Sequence, residues 1–146
     1  MSIVASIQHA IKDAMKSKSH ARLECLRMVK AALLLKEKET GSEVAEPDAI
    51  AVLRGEVRKR QQSLEIFRQH DRQDEAAATE REIAVIEEFL PRQLSASELE
   101  ARVRAHYAAH PELNHAGKLT GAIKKEIGDL ADGKMLNDIC RKVIEG

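Results

Sequence analysis

Apolar residues recur every three or four positions along nearly all of this 146-residue chain, and nowhere do they alternate with polar ones. That spacing lines up side chains on one face of an α-helix, whereas a half-buried strand needs a period of two. Ile3, Ile7, Ile11 and Met15 form a first stripe, which the polar run "KSKSH" interrupts. Leu23, Leu26, Val29 and Leu33 form a second, closed by "TGSE" around Gly41, a helix stop. Pro47-Asp48 opens a third helix, because proline at the first turn loses no hydrogen bond. That helix carries Ile50, Leu53, Val57, Leu64 and Phe67 on one face. "QHDRQDE" reads as a turn or a frayed end, and a fourth helix runs through Ile83 and Ile86 to Leu90, where Pro91 stops it. The fold class is all-α and multihelical.

The segment "FLPRQLSASELE" carries the sharpest local signals. Ser95 and Glu98 have capping-box spacing, in which the serine oxygen takes one free amide and the glutamate reaches back to another. Leu94 and Leu99 hold the two positions of a hydrophobic staple, which fixes the angle at which the chain meets the helix. Pro91 therefore separates a larger helical subdomain, 1–91, from a small three-helix one, 92–146. The small subdomain's stripes are Leu99/Val103/Tyr107, Leu119/Ile123/Ile127 and Leu136/Ile139/Val143.

Charge narrows the function classes. Twenty-four basic and 24 acidic residues give a formal net charge of zero. A general nucleic-acid or membrane binder carries a clear basic excess, so only a local basic patch is open to this chain. No segment approaches the ~20 apolar residues of a membrane span. The N-terminal segment is broken by charges too early for a signal peptide. Cys25 and Cys140 lie far apart within apolar patterns and read as buried thiols. These features together predict a cytoplasmic protein without a membrane partner.

The stretch "AGKLTGAIKKEIGDLADGKMLND" holds two glycine-lysine pairs, Gly117-Lys118 and Gly133-Lys134, each just before a helical pattern. Free amides and an ammonium converge at such a helix start, which suits an anion; plain capping explains the pairs equally. A nucleotide-binding loop is excluded: Leu119 stands where the magnesium-binding hydroxyl belongs, Glu112 replaces the first glycine, and no strand precedes. What remains for Lys118 is an RNA phosphate at a bare helix N-terminus, or a solvated lysine beside a turn. Asp132 is a good N-cap for the second pair, with Lys134 reaching outward. The run "RGEVRKRQQSLEIFR" offers a second basic surface, with Arg54 and Arg58 four apart and Lys59 and Arg60 broadening the charge. Only three aromatic residues occur, Phe67, Phe89 and Tyr107, so no stacking platform for single-stranded bases is available. RNA would be met through backbone and shape.

Other chemistry finds less support. His106 and His110 share a helix face and His115 follows, but no zinc or di-iron arrangement is completed, and they read as surface histidines at a helix end. Cys25 sits in apolar surroundings that raise a thiol pKa, and no serine stands in a glycine-flanked elbow. Neither a metal nor a cofactor is called for, and no self-sufficient catalytic set is visible.

"RLECLRMVKAALLLKEKE", "VRKRQQSLEIFRQHDRQDEAAATEREIAVIEEFLPRQLSASELE" and "GKLTGAIKKEIGDLADGK" follow one another in the order of the GatB/YqeY family. The chain resembles that family over nearly its whole length, most specifically at "EFLPRQLS" and at the paired "GK…GDLADGK". The family is similar to the tail of the B subunit of the tRNA-dependent amidotransferase, which amidates Glu-tRNA(Gln) or Asp-tRNA(Asn). The resemblance implies a larger helical subdomain followed by a three-helix one. It also implies a tRNA-contacting role carried by Gly117, Lys118, Gly121, Gly128, Asp132, Gly133 and Lys134. Thr120 departs from the apolar residue expected after "GKL". The family's label, carbon–nitrogen ligase activity with glutamine as amido-N-donor, belongs to the full enzyme, whose catalytic modules have no counterpart here. Two functions follow as expectations. One is a tRNA-binding accessory module using Gly117, Lys118, Gly133, Lys134, Arg58 and Arg60. The other is a protein-interaction adaptor that docks on an amidotransferase or another partner.

Overall fold

The computed structural model describes residues 1–146, with the side chain of Asp129 outside the described set. Seven α-helices and one 3-10 turn account for the regular structure, and the described residues form no strand. Among the described residues no helix is long and apolar enough to cross a membrane. The chain divides into two compact units, Met1–Leu90 and Pro91–Gly146.

The first unit holds α1 (Ile3–Lys16), α2 (His20–Thr40), α3 (Glu46–Gln69) and α4 (Gln73–Glu87). Ile7, Leu26, Leu53 and Ile86, one from each helix, are fully buried in a common core. Ser2 caps α1 by accepting from the Ala5 amide at 3.1 Å. The Glu46 carboxylate accepts from the Ile3 amide at 3.0 Å, tying the start of α1 to the start of α3. Gly41 ends α2 at φ 73°, a left-handed conformation that glycine adopts without a Cβ clash. The "QHDRQDE" segment is a tight turn rather than a frayed end: α3 stops at Gln69 and α4 begins at Gln73, with Asp71 at φ 55°. The fourth helix ends at Glu87, three residues before Leu90. Its last carbonyls, Ile86 and Glu87, take the Phe89 and Leu90 amides in tightened turns, and the residue before a proline is disfavoured in helix.

The second unit holds α5 (Ala96–Ala109), α6 (Ala116–Ile127), the 3-10 turn Gly128–Leu130 and α7 (Gly133–Glu145). Its capping box is formed: Ser95 Oγ accepts from the Glu98 amide at 3.2 Å, and Glu98 Oε1 accepts from the Ser95 amide at 3.4 Å. Those hydrogen bonds with Ser95 hold the Glu98 carboxyl below its ordinary range. Leu94 packs on the core that contains Leu99, and its amide donates to the Leu130 carbonyl at 2.7 Å. Leu99, Val103, Leu119, Ile123, Leu136 and Cys140 are the most deeply buried side chains of this core. Thr120, the departure from the expected apolar residue, earns a polar contact instead: its hydroxyl accepts from Asn137 Nδ2 at 3.3 Å and links α6 to α7.

Candidate nucleic-acid interface

Both glycine-lysine pairs sit at helix starts that are already capped. At α6 the cap is His115, whose Nδ1 accepts from the Gly117 amide at 3.1 Å. This corrects the expectation of a bare N-terminus beside Lys118. A Cβ at position 117 would lie 3.3 Å from both Cε1 and Nδ1 of His115, so glycine there leaves the space that the imidazole occupies. At α7 the Asp132 carboxylate accepts from the Met135 amide at 3.1 Å, as the N-cap spacing predicts. Its negative charge at the positive end of the helix opposes a phosphate at the same spot.

The basic residues divide sharply by surroundings. Lys118 is exposed on α6, and Lys124 and Lys125 are exposed one to two turns further along the same helix. Lys118, Gly121 and Lys125 stand at i, i+3 and i+7, one stripe of a helix, with the two lysines roughly 10 Å apart along the axis. Gly121 is exposed, with nothing near the place a Cβ would occupy, so the backbone between the lysines is open to a partner. Among the described residues none of the three lysines has a salt bridge. Lys134 and Gly133 are also exposed, but Lys134 lines a groove with Glu100, Asp132 and Asp138. Lys124 and Lys125 are functional candidates that the glycine-lysine pairs do not point to; their helical spacing from Lys118 is the sequence signal for them.

The run on α3 is only partly a basic surface. Arg58 is exposed, but Arg60 is only 7% exposed and lies in the core. Its Nη1 donates to the Glu56 carbonyl at 3.1 Å and to Glu56 Oε1 at 3.2 Å, and its Nε lies 3.5 Å from Glu82 Oε2 on α4. Met28 of α2 approaches its Nη2 at 3.9 Å. Arg60 is therefore a strut joining three helices and has no free face for a phosphate, which overturns its place among the RNA-contacting residues. Its position at the spacing of Leu53, Val57 and Leu64 carried that signal in the sequence. Arg54 has its Nε and Nη2 shielded from solvent without a partner, and Lys59 is held by Glu56 at 3.0 Å.

Of the three histidines, His110 and His115 are exposed, as the sequence predicts, and His106 is not. The rings of His106 and His110 lie 4.8 Å apart, and His106, mostly buried, has Nδ1 3.6 Å from Glu126 Oε1 on α6. His110 lies 3.3 Å from Glu112. Among the described residues no group of three or more histidine, cysteine or acidic side chains is placed to hold a metal ion. Both cysteines are free and buried, as their apolar settings predict, and burial pushes both thiols up from the ordinary value of 9.0.

Fold and surfaces together define an all-α protein in which a short helix of the smaller unit presents exposed lysines, without ion-pair partners among the described residues, around an exposed glycine. A family model for YqeY-like proteins matches residues 4–144, and the chain belongs to that family. Comparison with curated proteins gives no match.

Proposed function

We propose that this chain is a tRNA-binding accessory module, similar to the tail of the amidotransferase B subunit and without catalysis of its own. The outer face of α6 meets RNA phosphates. The observation that carries this reading is the stripe of Lys118, Gly121 and Lys125, with Lys124 beside it, exposed and free of carboxylate partners among the described residues. Each lysine that neutralises a phosphate releases a counterion, so a few such contacts give weak, salt-sensitive binding even on a neutral chain. Gly117 serves the His115 cap and Gly133 the start of α7, so both shape the surface rather than contact RNA. Lys134, set among carboxylates, contributes less than Lys118, and Arg58 is a separate contact on the larger unit.

Fluorescence anisotropy with unfractionated tRNA across a salt series tests the reading, wild type beside Lys118→Ala/Lys125→Ala. Binding is expected to weaken with salt, and the double variant to reduce the salt slope by about two. Absence of binding at low salt, or a double variant that matches wild type, refutes it.

The adaptor reading has its own support in the α5–α7 groove, about 610 Å³, where Met135 and Ile139 lie among Glu100, Asp132, Lys134 and Asp138. An apolar floor with mixed charges suits a peptide side chain better than a phosphate. Co-sedimentation with amidotransferase, with and without Met135→Glu, distinguishes this from RNA binding.

A further inference from the structure

α2 is apolar on two faces, and the fold uses one of them. Cys25, Leu26, Val29 and Leu33 are buried against α1, α3 and α4. On the opposite side, Met28, Leu34 and Leu35 are 54%, 48% and 60% exposed, beside a groove of about 640 Å³ that Ala31, Leu34 and Leu35 help to line. Isolated exposed leucines need no explanation, but a contiguous apolar strip on one helix marks an interaction surface.

The spacing of that strip identifies what covers it. Glu24, Met28, Ala31, Leu35 and Lys38 are all exposed and follow one another at intervals of four, three, four and three. That alternation places the five side chains on one face of the helix, with an apolar centre and charged ends, the kind of face a second helix can pack against. The strip is also self-complementary. Ala31 is its midpoint, Glu24 stands two turns before it and Lys38 two turns after, and neither charge has an ion-pair partner within the chain among the described residues. A two-fold axis through Ala31 brings a second α2 alongside in the antiparallel sense. Glu24 of each copy then faces Lys38 of the other, and Met28 packs beside Leu35. The small side chain at the axis lets the two helices approach closely.

We propose that this face of α2 pairs with the same face of a second copy of the chain, forming an antiparallel two-fold dimer centred on Ala31. The proposal is independent of the RNA reading, which uses α6. The charged ends of the strip span only ~21 Å, and one helix pair of that length falls below the smallest standard interfaces. The dimer is therefore expected to dissociate on dilution.

Sedimentation velocity on nucleic-acid-free protein over a wide concentration series tests it. Wild type is expected to shift from monomer to dimer, and Leu35→Glu to stay monomeric with an unchanged circular dichroism spectrum. Glu24→Lys and Lys38→Glu are each expected to weaken dimerisation by at least about fivefold, since each turns two opposite-charge contacts into like-charge ones. The two reversals combined restore it to within about twofold, because the pairs are regenerated with their signs exchanged. Ala31→Cys is expected to give a disulfide-linked dimer on mild oxidation, because its Cβ meets its own copy across the axis. A wild type that is monomeric throughout leaves the strip to some other occupant and overturns the proposal. A double reversal as weak as either single one, or an Ala31→Cys variant that does not cross-link, also overturns it.

Discussion

Replacing Arg60 with methionine separates a structural arginine from an RNA-binding one. The change removes two short contacts to Glu56, one to its carbonyl and one to its carboxylate, and a longer one to Glu82. Breaking a fully buried ion pair costs about 3–5 kcal/mol, because the remaining charge is stranded away from water. Here the stranding is partial. The Glu56 side chain is 12% exposed but keeps Lys59 at 3.0 Å, and the Glu82 side chain is 37% exposed, so water screens it. Methionine also fills much of the space left by the arginine stem, which limits the cavity. The expected loss is about 2 kcal/mol, against about 3–4 kcal/mol for Arg60→Ala, where a cavity is added. For a helical unit of this size, 2 kcal/mol lowers the melting temperature by roughly 10 °C. Circular dichroism melts of Arg60→Met, Glu56→Gln and the double variant form a cycle. The double variant is expected to cost about 1 kcal/mol less than the sum of the singles, because the glutamine no longer strands a charge. Affinity for tRNA at a temperature where the variant is folded should match wild type. Unchanged stability together with weakened tRNA binding would refute the assignment of Arg60 to the core.

Two further outcomes test the local chemistry. Asp132→Ala is expected to destabilise the protein by about 1 kcal/mol in urea titration by freeing the Met135 amide, whereas Asp132→Asn, which still caps, stays within a few tenths. The buried cysteines make stability fall at alkaline pH. Burial raises both folded-state thiol pKa values above 9.0, so the unfolded chain loses these protons first. The contribution is complete below about pH 9 and is lost as pH rises through the folded-state values. Urea midpoints measured from neutral to alkaline pH should therefore drop, and Cys25→Ala/Cys140→Ala should flatten the alkaline limb.

What the sequence determined by itself is what short-range physics decides. Periods of three and four specify helices, and Leu26, Leu53, Leu99, Leu119 and Leu136 fall on their buried faces because a helix needs only its own spacing to define a face. The Ser95–Glu98 box and the Asp132 cap were legible because each closes over three residues of chain. The glycine-lysine pairs were visible, but their surroundings were not. That His115 turns its imidazole onto the Gly117 amide, and that Lys134 shares a groove with Glu100, Asp132 and Asp138, depends on rotamers and on helices that pack from elsewhere in the chain. Arg60 shows the limit most clearly. Its spacing put it on the core face, yet its charge argued for solvent, and only Glu82 on α4 and Met28 on α2 arriving beside Glu56 made the core tolerable for a guanidinium. The same holds for α2, whose sequence is apolar on two sides. Tertiary packing alone selected the side of Leu26 and Val29 for the interior and left Met28 and Leu35 outside, because one helix can turn only one face toward α1, α3 and α4.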